Sequence, residues 1–218
     1  MDVVEITSRL TLLRFAVGQA YVWRDEHSLT LIDTGIAGSG PEIATALGTL
    51  GAGPGDLDQV VITHFHEDHA GSAAEVASWG EVTVLAHRLE APILRGELPG
   101  PPPNFTEQEA VWHASIVGDG LPPAPPVRVD VELEDGDVVP FGGGAQVLHL
   151  PGHTDGSLAL FLPASGTLFT GDTAASVDGT VILGPFNLDR EQATRSFRRL
   201  AQLDCRTTLF GHGDPVRR

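Results

Sequence analysis

The stretch Val60-Val-Ile-Thr-His64-Phe-His66-Glu-Asp68-His69-Ala-Gly71 contains the pattern on which the fold and the function of this chain depend. It opens with a run of β-branched residues, which favours a short buried strand, and it ends in small residues that suit the start of a helix. Three histidines and one aspartate stand between these two parts. Imidazole nitrogens and carboxylate oxygens are donors that zinc, iron and manganese accept. The stretch therefore predicts a metal-binding loop at the end of a strand.

Three later segments place a further donor at the end of an apolar run. They contain His153 in Leu-Pro-Gly-His, Asp172 in Phe-Thr-Gly-Asp and His212 in Phe-Gly-His-Gly. The adjacent glycines allow tight or left-handed backbone, which brings a side chain close to a shared centre. Strands that each end in a donor predict a metal site at the edge of a sheet.

Taken in this order, the motifs resemble those of the metallo-β-lactamase superfamily, together with Leu31-Ile-Asp33-Thr-Gly35 as a match to its first motif. The resemblance implies an α/β protein with the four-layer αββα sandwich, as a single domain over residues 1–218. It also implies two divalent metal ions, zinc above all, with iron or manganese as alternatives. One ion would be bound by His64, His66 and His153, and the other by Asp68, His69 and His212, with Asp172 bridging the two and Asp33 supporting a ligand.

Composition restricts the class of protein and its partners. The chain has 218 residues, enough for one well-buried domain, and its 41% hydrophobic and 19% charged residues are typical of a soluble globular protein. Its formal net charge is −16, from 13 basic and 29 acidic residues, which disfavours nucleic acid as a partner. No apolar run reaches the length of a membrane span, and no signal peptide is visible at Met1. With Cys205 as the single cysteine, we expect a cytoplasmic protein that is a monomer or a homodimer and binds a small molecule.

The chain has two similar halves of strands and helices. They include a predicted helix over residues 70–78, a strand near residues 127–133 and a helix over residues 189–203, for which Asp189 is the predicted N-cap.

Between the two halves, the chain carries an irregular segment over about residues 89–126. Proline-rich stretches at residues 100–103 and 121–126 bracket a predicted helix, for which Thr106 and Glu109 form a capping box. We predict an insertion near the active site, with Phe105, Trp112 and His113, and Phe186 from the second half, as a substrate wall. Two alternatives are that these residues pack the helix against the domain or form a dimer contact. His149, on a strand before His153, is predicted to support a ligand or to lie in the core.

The ligand set implied by the resemblance predicts the chemistry. Two ions bridged by a carboxylate lower the pKa of a shared water, so a metal-bridging hydroxide can attack a substrate carbonyl at neutral pH. Asp68 is the predicted catalytic residue, because it binds one ion and orients the nucleophilic water. We therefore expect a hydrolase of a small ester, thioester or lactone, similar to the glyoxalase II and lactonase branches. The alternatives are a zinc β-lactamase-type amide hydrolase, an iron-dependent redox enzyme similar to persulfide dioxygenases, and a binding protein without catalysis.

Overall fold

A computed structural model describes residues 1–118 and 120–218 of the chain. The chain divides into two compact units, which are residues 1–99 with 122–133 and residues 100–121 with 134–218. Each unit contains its own mixed β-sheet with associated helices. The α/β class predicted from the sequence is confirmed.

The first unit contains a seven-stranded sheet in the order β1 to β7, antiparallel from β1 to β4 and parallel from β4 to β7. Its strands are β1 Asp2–Thr7, β2 Leu10–Arg14, β3 Gln19–Arg24, β4 Leu29–Ile32, β5 Gln59–Ile62, β6 Thr83–His87 and β7 Val131–Leu133. Its helices are α1 Gly40–Thr49, α2 Glu67–Ala70, α3 Ala73–Ala77 and α4 Ala91–Leu94.

The parallel strands of this unit bring polar residues to one edge. Every residue of β4 and β5 is buried, as expected for interior strands covered on both faces. Because β4 and β5 are parallel, their carboxyl ends meet at the same edge of the sheet. Asp33 follows β4 there, and Thr63 and His64 follow β5.

The second unit contains a six-stranded sheet in the order β15-β14-β11-β10-β9-β8 and a separate hairpin of β12 and β13. Its strands are β8 Val138–Val139, β9 Ala145–His149, β10 Leu158–Leu162, β11 Thr167–Phe169, β12 Ala174–Val177, β13 Thr180–Leu183, β14 Thr207–Leu209 and β15 Val216–Arg217. Its helices are α5 Glu107–Val117 and α6 Arg190–Leu200.

Both helices of this unit begin at the caps that the sequence predicts. The Thr106 hydroxyl accepts a hydrogen bond from Glu109 N, and the Glu109 carboxylate accepts one from Thr106 N, which completes the capping box of α5. Asp189 accepts a hydrogen bond from Gln192 N at the start of α6. The capping residues therefore locate these two helix starts from sequence alone.

Two expectations for local structure are confirmed only in part. A single helix over residues 70–78 is replaced by α2 and α3, with a break between them. The carbonyl oxygen of His69, which would accept the next helical hydrogen bond, instead accepts bonds from the backbone N–H and the hydroxyl of Thr34. The strand expected over residues 127–133 is confined to β7, because it pairs with β6 only from Val131 onward.

The segment over residues 89–126 contains α4 in the first unit and α5 in the second. After α5 the chain rejoins the first unit at Pro122, where Val127 N donates a hydrogen bond to Leu94 O. No helix in residues 1–118 and 120–218 has both the length and the apolar character needed to span a bilayer.

Candidate metal centre

The loop after β5 holds three imidazole rings close together. His64 and His69 are buried, and their ring centroids lie 4.0 Å apart, while the centroid of His66 lies 4.7 Å from that of His64. The Phe65 N–H between them donates a 2.8 Å hydrogen bond to the buried carboxylate of Glu90. The loop is therefore fixed by backbone contacts as well as by packing of the rings.

A buried chain of hydrogen bonds determines which nitrogen of His64 and of His69 can face a metal ion. Asp33 Oδ2 accepts a bond from the Thr63 hydroxyl and one from His69 Nδ1, each 2.8 Å long. Because the Thr63 hydroxyl donates its hydrogen bond to Asp33, its oxygen accepts one from His64 Nδ1, which lies 3.0 Å away. Both histidines thus carry their proton on Nδ1, which leaves the lone pair of Nε2 for a metal ion.

Asp33 is held for this task by its backbone as well. Its φ angle is 59°, a left-handed conformation that aspartate adopts more readily than most residues. Its Oδ1 accepts a 2.8 Å hydrogen bond from Thr63 N. The carboxylate therefore joins the end of β4 to the end of β5, directly before the first histidine of the loop.

Asp68 lies beside His69, with 3.7 Å between Asp68 Oδ2 and His69 Nε2. Gly18 also approaches Asp68 closely. A Cβ added at Gly18 would lie 2.6 Å from Asp68 O, and its φ angle of 75° favours glycine. The space around Asp68 therefore depends on a glycine that no metal-ligand motif identifies.

In the second unit, two histidines converge on one carboxylate. Asp172 Oδ2 lies 3.2 Å from His212 Nε2 and 3.7 Å from His153 Nε2. Gly213 permits this arrangement at the end of β14, because its φ angle is 97° and an added Cβ would lie 1.9 Å from Ser176 O. A carboxylate oxygen between two imidazoles is suited to bridging two cations.

The Nδ1 atom of His153 lies 3.1 Å from the carbonyl oxygen of Pro185. A carbonyl only accepts, so Nδ1 carries the proton and Nε2 is again the nitrogen available to a metal ion. The described residues include groups of His and Asp side chains that can hold metal ions, and all seven predicted donors belong to these groups. The chemistry of the donors, with three Nδ1 protons already engaged, fits divalent metal ions.

His149 occupies a different environment from the donors. Its Nε2 lies 2.8 Å from Asp155 O, and its backbone N–H donates to Asp135 Oδ1. Asp135 also accepts two hydrogen bonds from Arg199. Burial raises the pKa of the Asp135 carboxyl, but the His149 N–H and Arg199 outweigh it and leave this pKa below its ordinary value. His149 therefore connects the turn before Ser157 to α6, and a role in supporting a ligand remains a prediction.

The four residues predicted as a substrate wall form one cluster in the second unit. The ring centroid of Phe186 lies 5.6 Å from Phe105, 5.3 Å from Trp112 and 5.1 Å from His113. Phe105 is 38% exposed and Trp112 is 42% exposed. Because Phe186 follows Pro185, the cluster is joined directly to the residue whose carbonyl orients His153. This arrangement leaves aromatic surface open to a ligand.

Sequence patterns did not single out three groups that position these side chains. They are the Thr63 hydroxyl, the Pro185 carbonyl and the carboxylate of Glu109, which the capping box accounts for only in part. A hydroxyl directly before a predicted ligand, as at Thr63, is the one available sequence signal. The other two act across long separations in the chain, which a local pattern does not show.

A model of the metallo-beta-lactamase superfamily matches residues 13–212 of the chain. This match covers most of the sequence. The chain belongs to this superfamily. It carries the family's motifs on the strand ends described above, and the resemblance inferred from those motifs is confirmed.

Three curated relatives illustrate the range of the superfamily around this chain. A probable metallo-hydrolase from Bacillus subtilis (strain 168), YflN, is 30% identical, over 88% of this chain and 78% of its own. A hydroxyacylglutathione hydrolase from Aeromonas hydrophila is 30% identical, over 89% and 61% of the two chains. The acyl-coenzyme A thioesterase MBLAC2 from Gallus gallus is 34% identical, over 75% and 60%. The chain is thus a metallo-hydrolase by family.

Among solved structures, TTHA1623 in a di-iron-bound form is 26% identical to this chain and has a TM-score of 0.69. The match covers 94% of this chain and 92% of that protein. The likeness confirms the metallo-β-lactamase fold predicted from the sequence.

Proposed function

We propose that this protein is a dinuclear metal-dependent hydrolase of small acyl thioesters. The observation that carries the proposal is the hydrogen-bond chain from His64 through Thr63 and Asp33 to His69, which prepares two Nε2 atoms for metal binding. Thioesters are preferred over esters and lactones because two relatives are named for a hydroxyacylglutathione and for acyl-coenzyme A. Esters and lactones remain the neighbouring substrates to compare in an assay.

In this proposal seven donors bind one pair of ions. His64, His66 and His153 would bind one ion, and Asp68, His69 and His212 the other. Asp172 would bridge them, in keeping with the two histidine Nε2 atoms that lie within 3.7 Å of its Oδ2 in the second unit. Zinc suits this mixture of imidazole and carboxylate donors, and iron is the alternative that the di-iron form of TTHA1623 suggests.

When bound, the pair of ions would supply a nucleophile from water at neutral pH and would polarise the carbonyl of the substrate. The side chains of the protein divide the remaining tasks. Asp68 would accept a hydrogen bond from the attacking water and so orient it toward the carbonyl carbon. Asp33 would keep the proton of His69 on Nδ1 throughout the reaction. The aromatic cluster around Phe186 would take up the apolar acyl group.

A thioester panel tests the proposal. Acetyl-, butyryl- and octanoyl-coenzyme A, S-lactoylglutathione, a p-nitrophenyl ester, an acyl-homoserine lactone and a β-lactam are each incubated with the metal-loaded protein. Thioester cleavage is detected as released thiol, and the single cysteine of the chain, Cys205, is buried and contributes little background. We expect at least one thioester to give the highest kcat/KM of the panel, and Asp68→Asn to lower its turnover by about 100-fold or more. A higher kcat/KM for the β-lactam or the lactone would contradict the assignment to thioesters.

A further inference from the structure

Helix α5 is attached to the second unit in an unusual way. Of its 11 residues, only Glu109 is buried. Its large apolar side chains are exposed instead, with Val111 at 74%, Trp112 at 42% and Ile116 at 43%. A surface helix is ordinarily held by an apolar face packed against the core. Here a charged residue provides the buried attachment of the helix.

The Glu109 carboxylate makes contacts in two directions. Toward its own helix, it accepts 2.9 Å hydrogen bonds from Thr106 N and from the Thr106 hydroxyl. Toward the segment after β13, it accepts a 3.2 Å bond from Phe186 N and a hydrogen-bonded ion pair from Arg190. These partners lie 77 and 81 residues further along the chain. The carboxylate therefore fastens the first turn of α5 to residues 184–190.

Phe186 shows why this attachment matters. Its φ angle is 62°, which is an outlying conformation for a bulky side chain and persists only where surrounding contacts fix it. Glu109 holds its N–H, and the rings of Phe105, Trp112 and His113 surround its side chain. The neighbouring residue, Pro185, accepts the hydrogen bond from His153. The same short segment thus contacts both the aromatic cluster and His153, a predicted metal ligand.

The segment 184–190 has a second link to the region before α5. Asn104 N donates a 3.0 Å hydrogen bond to Asn187 O, and Asn104 Nδ2 donates one to Leu188 O. These contacts align the two segments but involve none of the aromatic rings. Glu109 is the residue that joins the helix bearing Trp112 and His113 to Phe186 itself.

We propose that Glu109 is a positioning residue for acyl selectivity, because it holds the aromatic cluster of α5 on the segment that orients His153. The inference rests on the proposed hydrolysis of thioesters and names the part of the substrate that the cluster selects. An acyl chain of about eight carbons would lie against the rings of Trp112 and Phe186. We expect an acetyl group to end before these rings and to be insensitive to their position.

The test compares Glu109→Gln with Glu107→Gln, which removes a charge from the same helical turn at an exposed position. Arg190→Gln is a milder second variant, since the Arg190 side chain is half exposed and supplies one of the four contacts to Glu109. KM and kcat are measured for octanoyl- and acetyl-coenzyme A. Backbone hydrogen exchange is followed over residues 107–117 and 184–190, and metal content is determined for each variant.

We expect Glu109→Gln to raise KM for the octanoyl substrate about tenfold, with KM for the acetyl substrate and both kcat values nearly unchanged. Hydrogen exchange should accelerate in both segments, Arg190→Gln should show a smaller change of the same kind, and Glu107→Gln should match the wild type. Equal effects on both substrates, or a loss of metal, would mean that Glu109 only stabilises the fold, and the inference would be overturned.

Failure of the proposed function gives a different result. If the wild-type protein cleaves no thioester, the assignment to thioesters fails, and the role of Glu109 is then judged by binding of the thioether analogue of octanoyl-coenzyme A. Tryptophan fluorescence reports this binding, since Trp112 lies in the cluster. Weaker binding to Glu109→Gln than to Glu107→Gln supports the inference. Equal binding to both variants, or no binding to the wild type, overturns it.

Discussion

Replacement of Asp33 by asparagine tests the hydrogen-bond chain that prepares the metal ligands. The substitution keeps the size of the side chain, and asparagine also tolerates the φ angle of 59° at this position. The Asp33 carboxylate acts only as an acceptor in its hydrogen bonds, which come from Thr63 N, the Thr63 hydroxyl and His69 Nδ1. In either orientation of the amide, its NH2 group must therefore face at least one of these donors.

Both orientations weaken metal binding. An NH2 group facing His69 favours the tautomer with the proton on Nε2, and a protonated Nε2 cannot bind a metal ion. An NH2 group facing Thr63 N meets another donor and displaces Thr63, whose hydroxyl holds His64. A buried donor left without an acceptor costs about 1–3 kcal/mol, which corresponds to a loss of about 2–12 °C in Tm for a chain of this size. We expect metal affinity to fall about 10–100-fold.

The assay is a competition between the protein and a chelator of known zinc affinity, followed by a thermal melt of the metal-free protein. Asp58→Asn is the matched control, since Asp58 accepts a hydrogen bond from Leu29 N in the same unit but contacts no predicted ligand. It should lower Tm without changing metal affinity. Unchanged metal affinity in Asp33→Asn would refute the claim that Asp33 selects the tautomer of His69.

The remaining predictions concern three other side chains. Burial alone would raise the pKa of Glu109, but hydrogen bonds from Thr106, Arg190 and Phe186 lower it from 4.5 to about 2. The carboxylate therefore contributes at most about 3 kcal/mol to the free energy of unfolding above pH 4.5, and this contribution is lost as the pH falls toward 2. In acid titrations, Glu109→Gln should lack this pH-dependent contribution. Asp68→Asn should lower turnover by about 100-fold or more with the fold intact, as checked by circular dichroism, whereas His149→Ala should cost far less. Trp112→Ala should raise KM for long acyl groups at unchanged metal content. Val111→Ala is the control at another exposed position of the helix and should leave KM unchanged. A change of oligomeric state in Trp112→Ala with unaffected kinetics would instead identify an interface.

The sequence allowed the metal-binding loop to be predicted because its information is local. The β-branched residues before His64 form β5, and the donors follow at the strand end, as the pattern indicates. The caps at Thr106 and Asp189 were predictable for the same reason, since each acts within one helical turn. The break between α2 and α3 was not predictable, because it depends on Thr34, which approaches His69 from 35 residues away.

The positioning contacts show the same limit. Glu109 fits a capping box, and that local role conceals its contact with Arg190, which lies 81 residues further along the chain. The Pro185 carbonyl gives no sequence signal, because every residue has a carbonyl and only the fold directs this one toward His153. Donor identity could be inferred from the residues, whereas the tautomers of His64, His69 and His153 required the structure.

The most direct test of a dinuclear thioester hydrolase is the rate of thioester cleavage as metal is returned to chelated protein. Zinc is added in steps to a known concentration of the metal-free chain, and bound zinc is determined by elemental analysis at each step. Seven donors on strand ends and loops predict two ions per chain. We expect the rate to rise until two equivalents are bound and then to remain constant. Full activity at one equivalent, or cleavage that proceeds without metal, would contradict the account.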